Sequence, residues 1–419
     1  MGADKKTIYV YADWSGYSPQ LMGLLYASDS RHKELFSFEY KEEWIRSSDS
    51  GVFFDPDLLL FAGRQYVPLD KQLFGIFSDS CPDRWGRLLI NRKEAILAKK
   101  EGRKPRALME SDYLLGVFDE TRMGALRFSL IEGGPFLAAD NNLPVPPWAS
   151  LRALTAASWA FESDERGQEE KWLNQLLAPG SSLGGARPKA SVRAPDGSLW
   201  IAKFPSKHDE WNSGAWEMVV HDLAIKCGLN VPEAKLATFS PAGGTFLVKR
   251  FDRNGLRRRH FSSAMTMLGK TDGSGAEGAS YLDLASFIKS NGASPQQDLI
   301  ELWRRIVFNI AVSNTDDHLR NHGFLLTERG WILSPMYDVN PNIYGNTLSL
   351  NVTEDNNSAT FDLAIETAKY YNIDLPQAKN ALTEIKKIIR GNWRPLAAAY
   401  GLSKAAVSRL APAFIMDYK

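Results

Sequence analysis

Cysteine is scarce: Cys81 and Cys227 are the only two in 419 residues. Two isolated cysteines build neither a disulfide framework nor a thiolate metal cluster. They read as small buried side chains in a reducing compartment. Long apolar runs are missing as well. Residues 58–62 (LLLFA) form the sort of run this chain contains, far short of the roughly 20 residues a spanning helix needs, so no membrane association is expected. No apolar stretch of the signal-peptide kind follows Met1. Lys6 stands where a myristoylation pattern requires Ser or Thr, and a cytoplasmic location is the expectation. The chain also lacks an excess of either charge. Its formal net charge is +1, which excludes a global nucleic-acid footprint. The one dense basic run, Arg257-Arg258-Arg259-His260, reads as a solvated loop rather than a contact for an acidic partner. Internal repeats and low-complexity tracts are absent.

What is present is ordinary globular composition, 44% hydrophobic and 24% charged, at a length that suggests two or three folding units. Residues 7–12 and 23–26 have strand character. Residues 82–100 carry Trp85, Leu88, Leu89, Ile96 and Leu97 among charges, as an amphipathic helix does. Residues 123–130 look like a returning strand, and the Pro-rich stretch 141–147 marks a boundary. Next, residues 190–193 and 198–203 flank Pro195-Asp196-Gly197, an Asp-Gly turn that predicts a hairpin. A helix over 214–226 and a second hairpin, 234–239 with 245–251, follow. Beyond Arg253 the chain reads as mainly helical. Leu299, Leu302, Trp303, Ile306, Val307 and Ile310 keep one apolar face at helical spacing.

The segment most suggestive of chemistry is Asn314-Thr315-Asp316-Asp317-His318-Leu319-Arg320-Asn321-His322. A short hairpin joins it to Met336-Tyr337-Asp338. Phosphoryl transfer needs such a set: one carboxylate to accept or orient a hydroxyl proton, and an Asn with a second carboxylate to hold Mg²⁺ against ATP phosphates. The Asp316-to-Asn321 spacing equals that of the Asp…Asn pair in kinase catalytic loops. In isolation an Asp-x₄-Asn match is an ordinary turn. The second Asp beyond a hairpin and a strand-borne lysine upstream select the catalytic reading. His318 and His322 stand at metal-ligand spacing. No Glu follows His318 and no third ligand is evident, so zinc is not expected.

Three further elements fit. Gly180-Ser181-Ser182-Leu183-Gly184-Gly185-Ala186-Arg187-Pro188-Lys189 is a Gly-rich loop before a hairpin, suited to close approach of backbone N–H groups to phosphate, though not a Walker sequence. Lys203 ends an apolar strand and would reach the α- and β-phosphates, with Glu217 as candidate helix partner; a solvated Glu217 is the equal alternative. Phe246-Leu247-Val248-Lys249-Arg250-Phe251-Asp252 stands where a kinase chain crosses between lobes, and backbone groups near Lys249 and Phe251 would meet adenine.

In this order these pieces resemble the HipA family of bacterial serine/threonine kinase toxins. The matching stretches are 182–189, the Lys203 strand, 248–253, 314–321 and Pro335-Met336-Tyr337-Asp338, and the resemblance spans nearly the whole chain. It implies that Asp316 is the catalytic base, that Asn321 and Asp338 bind magnesium, and that Lys203 contacts ATP. With Ser182, Gly184, Gly185, Lys189, Lys249, Phe251 and His318, these residues would form the ATP site. The resemblance also implies autophosphorylation at Ser182, with Ser181 as the adjacent alternative, ejecting the Gly-rich loop and silencing the enzyme. Pro188 departs from the family's best-known loop and removes one backbone donor. A helix-turn-helix antitoxin is the implied partner, with DNA reached mainly through it. The family's protein substrates include aminoacyl-tRNA synthetases. The expected fold is α+β, protein-kinase-like and two-lobed: residues 1–140 an N-terminal α/β subdomain, 141–253 a nucleotide-binding lobe, and 254–419 a helical lobe with the catalytic loop. The rival readings are a small-molecule kinase and a non-catalytic co-repressor component.

Overall fold

The structure, a computed structural model, describes residues 5–14, 18–30, 33–47, 52–137, 145–163, 173, 175–177, 185, 187–271 and 278–417. It divides into two compact units, Met1–Lys207 with Asp252–Ser262, and His208–Phe251 with Ser263–Lys419.

Period-2 patterning builds the first unit. The strands are β1 (Lys5–Ala12), β2 (Gln20–Ser30), β3 (Lys33–Tyr40), β4 (Arg64–Tyr66) and β5 (Leu126–Ser129). They form one antiparallel sheet in the order β4-β3-β2-β1-β5. Phe36, Phe38 and Tyr40 alternate on one face of β3 and are buried, whereas Leu35 on the other face is 59% exposed. Gly23 of β2 is required by close approach: a Cβ there would lie 2.4 Å from both Glu39 O and Phe38 Cζ. Helix α1 (Arg84–Lys100) is N-capped by Asp83, whose side chain accepts from Gly86 N, and ends on Lys99 and Lys100, which complement the helix dipole. Its Trp85 meets Phe161 of α2 (Leu151–Glu162) edge-on, ring centroids 5.6 Å apart. The Asp-Gly hairpin forms as expected, β6 (Lys189–Arg193) pairing antiparallel with β7 (Leu199–Lys203) and Gly197 adopting φ +84°.

Two sequence expectations fail in this unit. The basic run is not a solvated loop. Arg258 pairs with Asp119 at 3.1 Å and Asp13 at 3.6 Å. His260 is buried and stacks on Trp14 at 4.7 Å, where burial pushes its imidazole down to about 3. Carboxylates far away in sequence pair with Arg258, which no local pattern reveals. Cys81 is half-buried rather than buried, while Cys227 of the second unit is buried; both are free thiols pushed up to about 12 by burial.

Asp55 gives this unit a pH signature. The carboxylate is 1% exposed and accepts from Asp57 N and Ile76 N, each at 2.9 Å. Burial outweighs those bonds and lifts its pKa to about 6. A folded-state pKa above the unfolded value means that the folded chain binds the proton more tightly. Stability from this group is therefore complete below about pH 4 and is lost as pH rises through about 6, amounting to about 3 kcal/mol. Urea unfolding of wild type and Asp55→Asn across this range should show the wild type losing ground with rising pH. A pH-independent difference would contradict the assignment.

The second unit is mainly helical, so the expected β-rich N-terminal portion and helical C-terminal part are both present. Helix α3 (Ser213–Lys226) is N-capped by Asn212, whose Oδ1 accepts from Ala215 N and Gly244 N. Here too glycine allows contact: a Cβ on Gly214 would sit 2.2 Å from Gly244 O, so α3 lies directly on the hairpin of β8 (Ala234–Ser240) and β9 (Gly243–Lys249). Helix α4 (Tyr281–Asn291) starts with a capping box between Ser280 and Asp283. Helix α5 (Pro295–Val312) buries the expected stripe from Leu299 to Ile310, and its Trp303 Nε1 donates to Ala364 O at 2.7 Å. The hairpin of β10 (Gly323–Thr327) and β11 (Gly330–Leu333) follows, with Gly330 at φ +119°. Helix α6 (Leu375–Ala399) packs on α3 and α5. Among the described residues no helix is long and apolar enough to cross a membrane.

Candidate active site

Helix α5 ends because Ser313 turns left-handed, φ 53° and ψ 43°, and the N–H of Asn314 closes on Asn309 O at 2.8 Å. The chain then crosses Thr315 to His318 and enters a short 3₁₀ turn, Leu319–Asn321. Asp316 is exposed. Its carbonyl oxygen accepts from His318 N at 3.1 Å and from Asn321 Nδ2 at 2.9 Å. The five-position spacing read from sequence is thus closed by a hydrogen bond. With Nδ2 committed, Oδ1 is the acceptor left to the Asn321 amide. An amide oxygen and a carboxylate are the hard oxygen donors that Mg²⁺ takes. In this respect Asn321 and Asp338 fit that ion.

Asp338 holds φ 60°, one of three non-glycine residues with positive φ among those described, the others being Ser313 and Asn372. Two of the three therefore bracket this site. Such backbone states cost of order 1–3 kcal/mol and gather where function holds them. Met336 N donates to Asn230 O, and Tyr337 Oη to Arg320 O at 2.7 Å, which ties the Asp338 segment to the residue before Asn321. The chain then returns to the loop: Asn342 N bonds Ser313 O at 3.0 Å, and Asn342 Nδ2 bonds Thr315 Oγ1 at 2.7 Å. One hydrogen-bonded assembly therefore joins the segments bearing Asp316, Asn321 and Asp338.

Beneath the loop lies a buried polar centre missed in the sequence. Asp317, 3% exposed, receives three donors on one oxygen, Oδ2: Tyr281 Oη at 2.6 Å, Asn309 Nδ2 at 2.7 Å and His322 Nε2 at 2.8 Å. Asn314 Nδ2 extends the chain to Asn309 Oδ1 at 3.1 Å. Burial alone would raise the Asp317 carboxyl, but His322 and the Tyr281 bond more than offset it and hold the group below its usual range. The Tyr281 phenol is pushed well above its ordinary value by burial and by Asp317. One signal was available: Asn309 is a lone amide in the apolar run Ile306-Val307-Phe308-Asn309-Ile310-Ala311-Val312. His322, one of the two histidines at metal-ligand spacing, is engaged here with Asp317. His318 is half-buried, and its Nδ1 is enclosed without a hydrogen-bond partner.

Also in the second unit, Phe251 is half-buried and faces Tyr337, ring centroids 5.6 Å apart. Lys249 donates its N–H to Glu233 O at 2.8 Å, so that backbone donor is already used. Glu217 is 4% exposed, which excludes the solvated alternative.

In the first unit, Lys189 and Lys203 are directly opposed in the β6–β7 register, which puts both side chains on one face, an arrangement like charges disfavour unless an anion compensates. Lys189 is 4% exposed, with Asp83 Oδ2 3.9 Å from its Nζ. Trp85 Nε1 donates to Lys189 O at 2.9 Å, and Trp85 N to Gly185 O at 3.4 Å. Gly185 adopts φ +86°, and a Cβ there would lie 2.9 Å from Lys189 Nζ. The start of α1 thus anchors the rear of the Gly-rich loop. Ser181, Ser182 and Gly184 lie outside the described residues.

The fold is that of a HipA chain. The structure matches HipA of Shewanella oneidensis MR-1, solved in its toxin–antitoxin complex with HipB and operator DNA, at a TM-score of 0.65 over 97% of this chain and 95% of that one, with 17% sequence identity. Residues 181–393, half of the chain, match the family model described as the HipA-like C-terminal domain; the chain belongs to the HipA-like family. Among curated relatives, the provisionally named kinase Y4mE of Sinorhizobium fredii is 27% identical over 182 residues, 38% of this chain and 41% of that protein. A provisionally named kinase of Haemophilus influenzae is 29% identical over 197 residues, 40% of this chain and 56% of that protein. The chain thus spans about half the length of the relatives it matches.

Proposed function

We propose that this chain is an ATP- and Mg²⁺-dependent serine/threonine protein kinase, the toxin of a toxin–antitoxin pair. The observation that carries the reading is the assembly joining Asp316, Asn321 and Asp338 within the second unit. Kinase-named relatives and the HipA-like family support it. In this reading Asp316 accepts or orients the proton of the acceptor hydroxyl. Asn321 and Asp338 hold Mg²⁺, which neutralises charge on the β- and γ-phosphates when bound. Lys203 and Lys189, on one face of their hairpin, attract the phosphates, with the Gly-rich loop of Ser182, Gly184 and Gly185 as cover. Phe251 and the Lys249 carbonyl meet the adenine, and His318 contributes to the same nucleotide site. The solved HipA is held with HipB and operator DNA; by that likeness, the partner here is a helix-turn-helix antitoxin, and DNA is reached mainly through it. The acceptor is a protein, with an aminoacyl-tRNA synthetase among the family's precedents, and the setting is cytoplasmic.

Regulation by Ser182 belongs to the same proposal. A phosphoserine brings about −1.5 to −2 charges at neutral pH. Beside bound nucleotide that charge repels the phosphates and favours an open loop. Mass spectrometry after incubation with Mg²⁺ and ATP should find phosphate on Ser182, and Ser182→Ala should resist inactivation by preincubation. Phosphate confined to Ser181 would move the switch by one residue. A kinase that labels its substrate and never a loop serine would disprove the switch.

A further inference from the structure

The exposed Asp316 has to be aimed, and its two chain neighbours are fixed by bonds from four different segments. On one side, Thr315 is held by Asn342 Nδ2 on its Oγ1 at 2.7 Å and by Ser349 Oγ on its carbonyl oxygen at 2.9 Å. On the other, Asp317 is held by Tyr281 at the first residue of α4, Asn309 in the last turn of α5, and His322 beyond the 3₁₀ turn. The main chain that carries Asp316 is fixed at the residues immediately before and after it, which sets the direction in which its side chain starts. We propose that Asp317 is a positioning residue for phosphoryl transfer, its Oδ2 gathering Tyr281, Asn309 and His322 so that the peptide carrying Asp316 has one orientation. This inference rests on the phosphotransfer reading above.

The energetic form of the network supports a role beyond stability. A buried carboxylate is costly unless its donors are all present, and three converge on a single oxygen. Removing one donor leaves the other two and most of the packing intact. It loosens the orientation, and any cost to the fold is read separately from the thermal midpoint. Small misplacement of a reacting group is expensive in rate: about 1 Å can cost about 10²-fold.

The test compares Tyr281→Phe, His322→Leu and His322→Gln in the full-length protein. A glutamine amide nitrogen can stand near the His322 Nε2 position and donate to Asp317; leucine cannot. The readouts are kcat and KM for ATP, metal-free nucleotide Kd, and thermal midpoint. Tyr281→Phe and His322→Leu should lower kcat at least about tenfold. Metal-free Kd should be unchanged, and His322→Gln should recover most of the rate. Wild-type kcat in folded Tyr281→Phe and His322→Leu proteins would overturn the proposal. So would losses that merely follow the folded fraction, or a His322→Gln protein as slow as His322→Leu. A wild-type chain that transfers no phosphoryl group in the same assay would overturn the phosphotransfer reading itself, a result distinct from an active wild type beside equally active variants.

Discussion

Asp316→Asn should slow phosphoryl transfer by about 10²–10⁴-fold, the usual span for loss of a general base, while fold and nucleotide binding persist. Two bonds that close the loop use a main-chain atom of Asp316. The bonds from His318 N and Asn321 Nδ2 land on its main-chain oxygen, which asparagine keeps. The side chain is exposed, so the substitution should alter stability by no more than about 0.5 kcal/mol. Asparagine is nearly isosteric, and its amide offers no basic site for the acceptor hydroxyl proton. Initial rates with a labelled acceptor, taken beside a nucleotide Kd and a thermal midpoint, separate chemistry from folding. Transfer at the wild-type rate by a folded variant would remove Asp316 from this role.

Asp338 carries two properties, charge and an unusual backbone, and substitutions can separate them. At φ 60° an alanine pays the left-handed penalty of about 1–2 kcal/mol. Asparagine tolerates that region, and glycine occupies it freely. Asp338→Asn and Asp338→Gly should therefore fold as wild type yet lose Mg²⁺-dependent ATP affinity. The expected loss is about 10–100-fold, the value of a charge-assisted contact. Asp338→Ala should show the same loss and in addition a lower thermal midpoint. Metal-free nucleotide affinity should hold in all three. Calorimetry with and without Mg²⁺ reads the difference; equal losses in both conditions would make Asp338 a structural residue and nothing more.

Much of this arrangement was legible in the sequence because it is local. The stripe from Leu299 to Ile310 forms the buried face of α5, and the Asp-Gly and Arg-Gly turns close the hairpins. The spacing of Asp316 and Asn321 becomes a hydrogen bond for the same reason: both ends belong to one short turn. What was hidden depends on residues distant in sequence. Asp317 looks like a second loop acid until Tyr281, 36 residues earlier, is brought to it. Arg258 reads as solvated until Asp119, 139 residues earlier, neutralises it. Glu217 could have been placed by a closer look at its helix. Trp216, Met218, Val219 and Val220 beside it are all buried, and a helix apolar nearly all round leaves little room for a solvated face.

The central claim is phosphoryl transfer from ATP to a protein hydroxyl, and it is tested most directly by incubating the purified chain with γ-labelled ATP, cell extract and Mg²⁺. Phosphoamino-acid analysis of the labelled bands completes the measurement. The account predicts Mg²⁺-dependent label on phosphoserine or phosphothreonine of protein bands, lost with Asp316→Asn. Label confined to small molecules, or label on protein that persists undiminished in folded Asp316→Asn, would contradict it.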